Sequence, residues 1–112
     1  FLARLAGLKD RNDPEVIFLE LERSFRQFLG YDSPLLESLG AEGALSVLSA
    51  ADGGNPDRLA MAAILFREKS KNYSVYGDEG KAVKCMQMSD RFKAAIGNRT
   101  VSEEIRKVLQ TE

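Results

Sequence analysis

Apolar and polar residues alternate with the period of a helix along most of this chain. Turning about 100° per residue from Leu59 places Leu59, Ala62, Ala63, Phe66, Ser70 and Tyr73 on one stripe. A second run does the same with Ala82, Cys85, Met86, Ser89, Phe92 and Ile96. Between the runs, Gly77 can take the left-handed conformation that closes a helix, and Asp78 can cap the next. Leu59–Ile96 is therefore predicted to be a helical hairpin hinged at Gly77-Asp78.

The remaining pattern is also helical. Phe1 to about Lys9 reads as a short helix and Asp10 to Asp13 as a polar turn. Asp13-Pro14, Ser33-Pro34 and Asn55-Pro56 each place a capping side chain before a proline, the favoured way to begin a helix. The helix after Pro14 is expected to run to Leu29, burying Ile17, Phe18, Leu21, Ser24, Phe25, Phe28 and Leu29. Glu20, Glu22, Arg23, Arg26 and Gln27 then face water, and Gly30 ends the helix. Leu35–Leu39 and Glu42–Ala50 read as two short helices parted near Gly40. After Gly97-Asn98-Arg99, the run Thr100-Val101-Ser102-Glu103 fits a capping box, opening a last helix with Ile105, Val108 and Leu109 inward. The expected fold class is all-α, with about six to seven helices.

The central hairpin resembles a tetratricopeptide repeat, a 34-residue pair of antiparallel helices. Phe66 stands at the repeat's first aromatic, Tyr73 at its tyrosine, Gly77-Asp78 at its turn and Ala82 at the small residue of the helix crossing. Met86 and Ser89 match its later large and small positions. Lys69-Ser70 departs from the repeat's Leu-Gly, and no proline ends the unit. A shift of 65 residues lays Phe66 on Phe1, Tyr73 on Leu8, Asp78 on Asp13, Ala82 on Ile17, Met86 on Leu21 and Ser89 on Ser24. Repeat-like hairpins 1–29 and 59–96 would then flank a helical insert, 33–50, with a last helix over 101–111. The whole would be a single domain, a right-handed tetratricopeptide-like stack. Since the first hairpin begins within its repeat, the sequence is expected to lack opening residues of that helix. Leu29-Gly30-Tyr31-Asp32-Ser33 and Leu35-Leu36-Glu37-Ser38-Leu39, taken with the hairpin, further resemble a bacterial family of uncharacterised tetratricopeptide-like proteins.

Composition narrows the function classes. With 44% hydrophobic and 29% charged residues, the chain has the make-up of a water-soluble domain. No apolar run approaches the roughly 18 residues a membrane helix needs. One cysteine, Cys85, excludes an internal disulfide and fits the cytoplasm. The net charge of −1 argues against general nucleic-acid binding. It hides an asymmetry: residues 1–66 carry 6 basic and 10 acidic side chains, residues 67–112 carry 10 and 7. The halves are therefore −4 and +3. That matches ordinary solvated faces, or a basic half that meets an anionic peptide or another copy's acidic half.

Enzyme signatures are missing from the sequence. Histidine is absent, removing the commonest general base and metal ligand. Cys85 lies on an inward stripe and reads as core. Gly53-Gly54 lacks the continuation of a phosphate loop, and Glu20 and Glu22, two apart on a helix, diverge. No catalytic residue, metal site or cofactor is expected. The repeat resemblance does imply a binding surface, since the first helix of each repeat lines a concave groove in that family. Carried onto this hairpin, the groove positions are Ile64, Arg67, Lys71, Ser74 and Val75. Basic residues at the places of Arg67 and Lys71 occur in family members that clamp a peptide's C-terminal carboxylate, while the same two residues also read as a solvated i, i+4 basic pair flanking Glu68, a common helix-surface pattern. The asparagines such clamps add are not matched, because Leu2 and Ala6 occupy those positions in the earlier hairpin.

The expected function is a non-enzymatic protein–protein interaction domain holding a protein or peptide through a helical groove, an anionic partner being one option. Two alternatives stand beside it: a structural homo-oligomer with no groove ligand, and a regulatory or accessory domain of a larger enzyme system.

Overall fold

A computed structural model describes residues 1–9 and 13–111. Six helices follow in order: α1 Leu2–Lys9, α2 Pro14–Ser24, α3 Ser33–Ala50, α4 Pro56–Tyr76, α5 Glu79–Ile96 and α6 Glu103–Gln110. The described residues contain no strand. Helix α4 is the axis of the molecule: α2, α5 and α6 all pack against it, while α3 leans on α5 and α1 on α2. Six consecutive α4 residues, Ala62 through Arg67, are buried. That exceeds one 3.6-residue turn, so this stretch has no solvent face. One apolar cluster runs from Leu5 in α1 to Ile105 in α6 and includes residues of every helix.

Local chemistry sets the ends of α4 as the sequence predicts. The Asn55 side chain accepts from the backbone N–H groups of Asp57 and Arg58, with Pro56 opening the helix. At the other end Gly77 is left-handed (φ 93°). The Gly77 N–H donates to the Ser74 carbonyl and the Asp78 N–H to that of Tyr73, the paired closure that left-handed glycine allows. Asp78 then caps α5 by accepting from the Lys81 N–H. Serines lock the two helices in both directions: Ser70 Oγ donates to the Ala82 carbonyl (2.6 Å), and Ser89 Oγ to that of Ala63 (2.7 Å). Phe66 joins the hairpin's core to Phe92 on one side and meets Phe25 edge-on, 4.9 Å away, on the other.

The expected break near Gly40 is present (φ 75°, ψ 175°). Several expectations need correction. The last turn before Gly30, Phe25–Leu29, widens into a π-helical turn. The Leu29 carbonyl at its end accepts from the Arg58 guanidinium, which also reaches the Leu48 carbonyl in α3. Asp32, not Ser33, stands at the N-cap of α3; Ser33 is buried. The capping box at Thr100 does not form, because α6 starts two residues later with Ser102 at its N-cap. There the Ser102 N–H donates to Asp57 Oδ1 instead. The two proposed repeats also differ. Asp13 caps α2 as Asp78 caps α5, but among the described residues α1 meets the second helix of its hairpin mainly through Arg4 with Glu20 and Phe1 against Phe28 in the turn that follows α2. The polar turn expected at Asp10–Asp13 lies, except for Asp13, outside the described residues.

Candidate functional site: two buried cations on one helix

Two cations, Lys69 and Arg67, are buried on α4 at 4% and 6% exposure. Burying a charge is costly unless its hydrogen-bonding capacity is met, so their surroundings decide what each can do.

Lys69 points toward α2, α3 and α5. Its ammonium donates to Glu22 Oε1 (3.2 Å), Glu37 Oε2 (2.9 Å) and Ser33 Oγ, which uses all three of its N–H groups. Ser33 closes the ring by donating its hydroxyl and its backbone N–H to the Glu22 carboxylate. Burial works against the ammonium, but the hydrogen bond and charge of Glu37, with the charge of Glu22, outweigh it and raise the Lys69 pKa. Cys85 donates its thiol to Glu37 Oε1 at 3.5 Å. Burial, reinforced by the Glu37 charge, pushes that thiol up to about 12, so it stays neutral and unreactive, in keeping with its reading as core. A serine beside a lysine is the arrangement of some base-assisted nucleophiles. Here the lysine is held protonated and Ser33 has no exposed surface, so the pair can neither take a proton nor meet a substrate. The Lys69 cluster is a closed strut joining four helices. Glu22 correspondingly turns inward rather than to water.

Arg67 faces the other way. Its Nη1 donates to the Val108 and Leu109 carbonyls (3.2 and 3.1 Å) in the last turn of α6, and the Val108 carbonyl also accepts from the Thr111 N–H. Its Nε is buried with no acceptor, and Glu68 Oε2 is buried with no hydrogen bond. These two atoms lie 3.6 Å apart, and Lys71 Nζ stands 3.2 Å from the same carboxylate oxygen as an ion pair. Arg67 and Glu68 both border a groove along α4, made of two adjoining clefts of about 180 and 140 Å³. The first lies between Leu5 of α1 and Lys107, Val108 and Thr111 at the α6 end. The second continues past Leu8, Ile17, Asn72 and Val75, and both share Glu68 and Lys71. Arg67, Lys71 and Lys107 against Glu68 leave this lining with a net charge of +2.

Of the five residues predicted to line a groove, the structure brings three together there: Arg67, Lys71 and Val75. Ile64 is fully buried, because α4 is covered on all sides at that level. Ser74 is exposed and donates to Glu79 across the hinge. The pattern of the hairpin gave no sign of the walls: Leu5, Leu8, Ile17, Lys107 and Val108 come from three other helices. Among the described residues, no three of Asp, Glu and Cys converge as a metal-ligand set, and no helix is long and apolar enough to cross a membrane.

No family model, curated protein or solved structure matches this chain.

Proposed function

We propose that this is a non-enzymatic, tetratricopeptide-like interaction domain whose α4 groove holds a protein or peptide segment, preferably an anionic one. The observation that carries the reading is the groove's net positive lining beside apolar walls. Three cations, Arg67, Lys71 and Lys107, stand against the single acid Glu68 along this lining, and a carboxylate entering the groove would balance that excess. Lys71 and Lys107 add charge-assisted donors at the groove's edge. The apolar walls, Leu5, Leu8, Ile17 and Val75, suit side chains of an extended segment. Arg67 is a poor residue to substitute in testing this, since it also anchors α6. The test is a peptide array with free C-terminal carboxylates, probed with wild type and with a Lys71→Glu/Lys107→Glu variant. Peptides held by wild type and weakened about tenfold or more in the variant, a loss of about 1.4 kcal/mol, are the expected result. Equal binding to both, or none to wild type, would contradict the reading.

Self-association is favoured by a separate observation. Leu35 and Leu39, one turn apart on α3, are 47% and 42% exposed, an apolar pair suited to a second copy. Sedimentation velocity across a hundredfold concentration range tests this, with Leu35→Asp/Leu39→Asp as the variant that should stay monomeric.

A further inference from the structure

A second cleft, larger than the α4 groove, lies where the α5–α6 connection folds back over the end of α5, with a volume of about 430 Å³. Ile96, Val101 and Leu109 form its apolar floor, and Lys93, Arg99 and Arg106 its charged wall. Asn98, Thr100 and Gln110 complete the polar lining, which includes no carboxylate. In a chain with 16 basic and 17 acidic residues, three cations around an apolar floor with no acid among them is a marked local excess.

The cations are arranged as well as concentrated. Arg99 is fixed by three carbonyls: Gly54 (2.6 Å), Ala95 (2.9 Å) and Ile96 (3.2 Å). A guanidinium has five N–H groups, so two remain after these contacts. Lys93 and Arg106 have no ion-pair partner among the described residues. Surface cations are ordinarily solvated or loosely paired. This group instead surrounds a concavity of the size and mixed lining that small-molecule sites have.

We infer that this cleft binds a small organic anion, a carboxylate or phosphate monoester carried on an apolar body, independently of the α4 groove. The anionic head would take donors from Arg106, Lys93 and the remaining Arg99 N–H groups, and the body would cover Ile96, Val101 and Leu109.

The test is amide NMR on the whole chain, titrated with octanoate and separately with octyl phosphate, each below its micelle-forming concentration. Saturable shifts confined to residues 96–101 and 106–110 are expected, and the tighter of the two probes identifies the head group. Acetate and inorganic phosphate should need roughly 30-fold more, since two or three buried methylenes are worth about 0.8 kcal/mol each. Arg106→Gln should weaken octanoate about tenfold, and Lys71→Gln in the separate groove should leave it unchanged. Neutral octanol binding as tightly as octanoate would overturn the inference. So would shifts spread over every cationic face, no effect of Arg106→Gln, or a hexaglutamate peptide moving these amides where octanoate does not.

Discussion

Lys69 and Arg67 sit two residues apart on the same helix and are equally buried, yet their surroundings differ in completeness. Every N–H of the Lys69 ammonium has an acceptor, and those acceptors come from α2 and α3. Arg67 secures the end of α6 with one nitrogen and leaves another without an acceptor beside a groove. Burial of a charge thus has two outcomes in this fold. A closed polar cluster ties helices together with every donor used; an incomplete one at a cleft leaves a buried donor without an acceptor. The difference follows from helix placement. The Lys69 side of α4 is covered by α5, and by α2 and the part of α3 before Gly40, which supply its acceptors, whereas the Arg67 side is covered by the short helices α1 and α6.

Breaking the closed cluster should give the largest effect. Lys69→Met leaves Glu22, Glu37 and Ser33 facing one another without the cation. A loss of about 3–5 kcal/mol in urea unfolding is expected, as for other buried pairs deprived of one partner. Next in size is the alkaline limb of stability. The folded-state pKa values of Lys69, Tyr73 and Cys85 are all raised, so the unfolded chain releases these protons first as pH rises. Their contribution is intact below the unfolded pKa values and is lost as pH climbs through the folded ones. For Cys85 the window runs from its ordinary 9.0 to about 12, at up to about 1.4 kcal/mol per pH unit. Cys85→Ala should flatten that limb in pH-dependent urea titrations. Arg67→Met should cost less, about 1–3 kcal/mol, and the loss should be local. Limited proteolysis should cut within α6 before any other helix. The smallest effect belongs to the groove's edge: Lys71→Glu/Lys107→Glu should lower thermal stability by about 1 kcal/mol, because both side chains are substantially solvated and the main loss is the ion pair of Lys71 with Glu68.

The features legible in the sequence are those carried by neighbouring residues. Asn55-Pro56 and Gly77-Asp78 mark the ends of α4 through contacts spanning a few positions, and Gly40 breaks α3 by its own backbone preference. The stripe from Leu59 to Tyr73 is real, but a one-face stripe assumes one neighbouring helix. Helix α4 has several, which is why Ile64 lies inside rather than in the groove. Lys69-Ser70 stood out only as a departure from the repeat pattern. Its meaning depended on Glu22, Ser33, Glu37 and Ala82, residues 12 to 47 positions away, and no periodicity reports such partners. The repeat resemblance marks Arg67 as a groove residue, but its hold on α6 spans 41 and 42 positions. The π-helical turn at Phe25–Leu29 has no sequence signal that we can identify.

Native-state hydrogen exchange, resolved by helix, tests most directly whether the two cation sites differ as described. Segments covered by few buried contacts open at lower free energy than the core. The α4 and α5 amides of the wild type should therefore exchange only through global unfolding, and those of α6 through a cheaper local opening. Arg67→Met should widen that gap, while Lys69→Met should lower the protection of α4 and α5 themselves. If α6 exchanged together with α4, and Arg67→Met reduced protection in every helix alike, the contrast between a closed strut and an open site would be wrong.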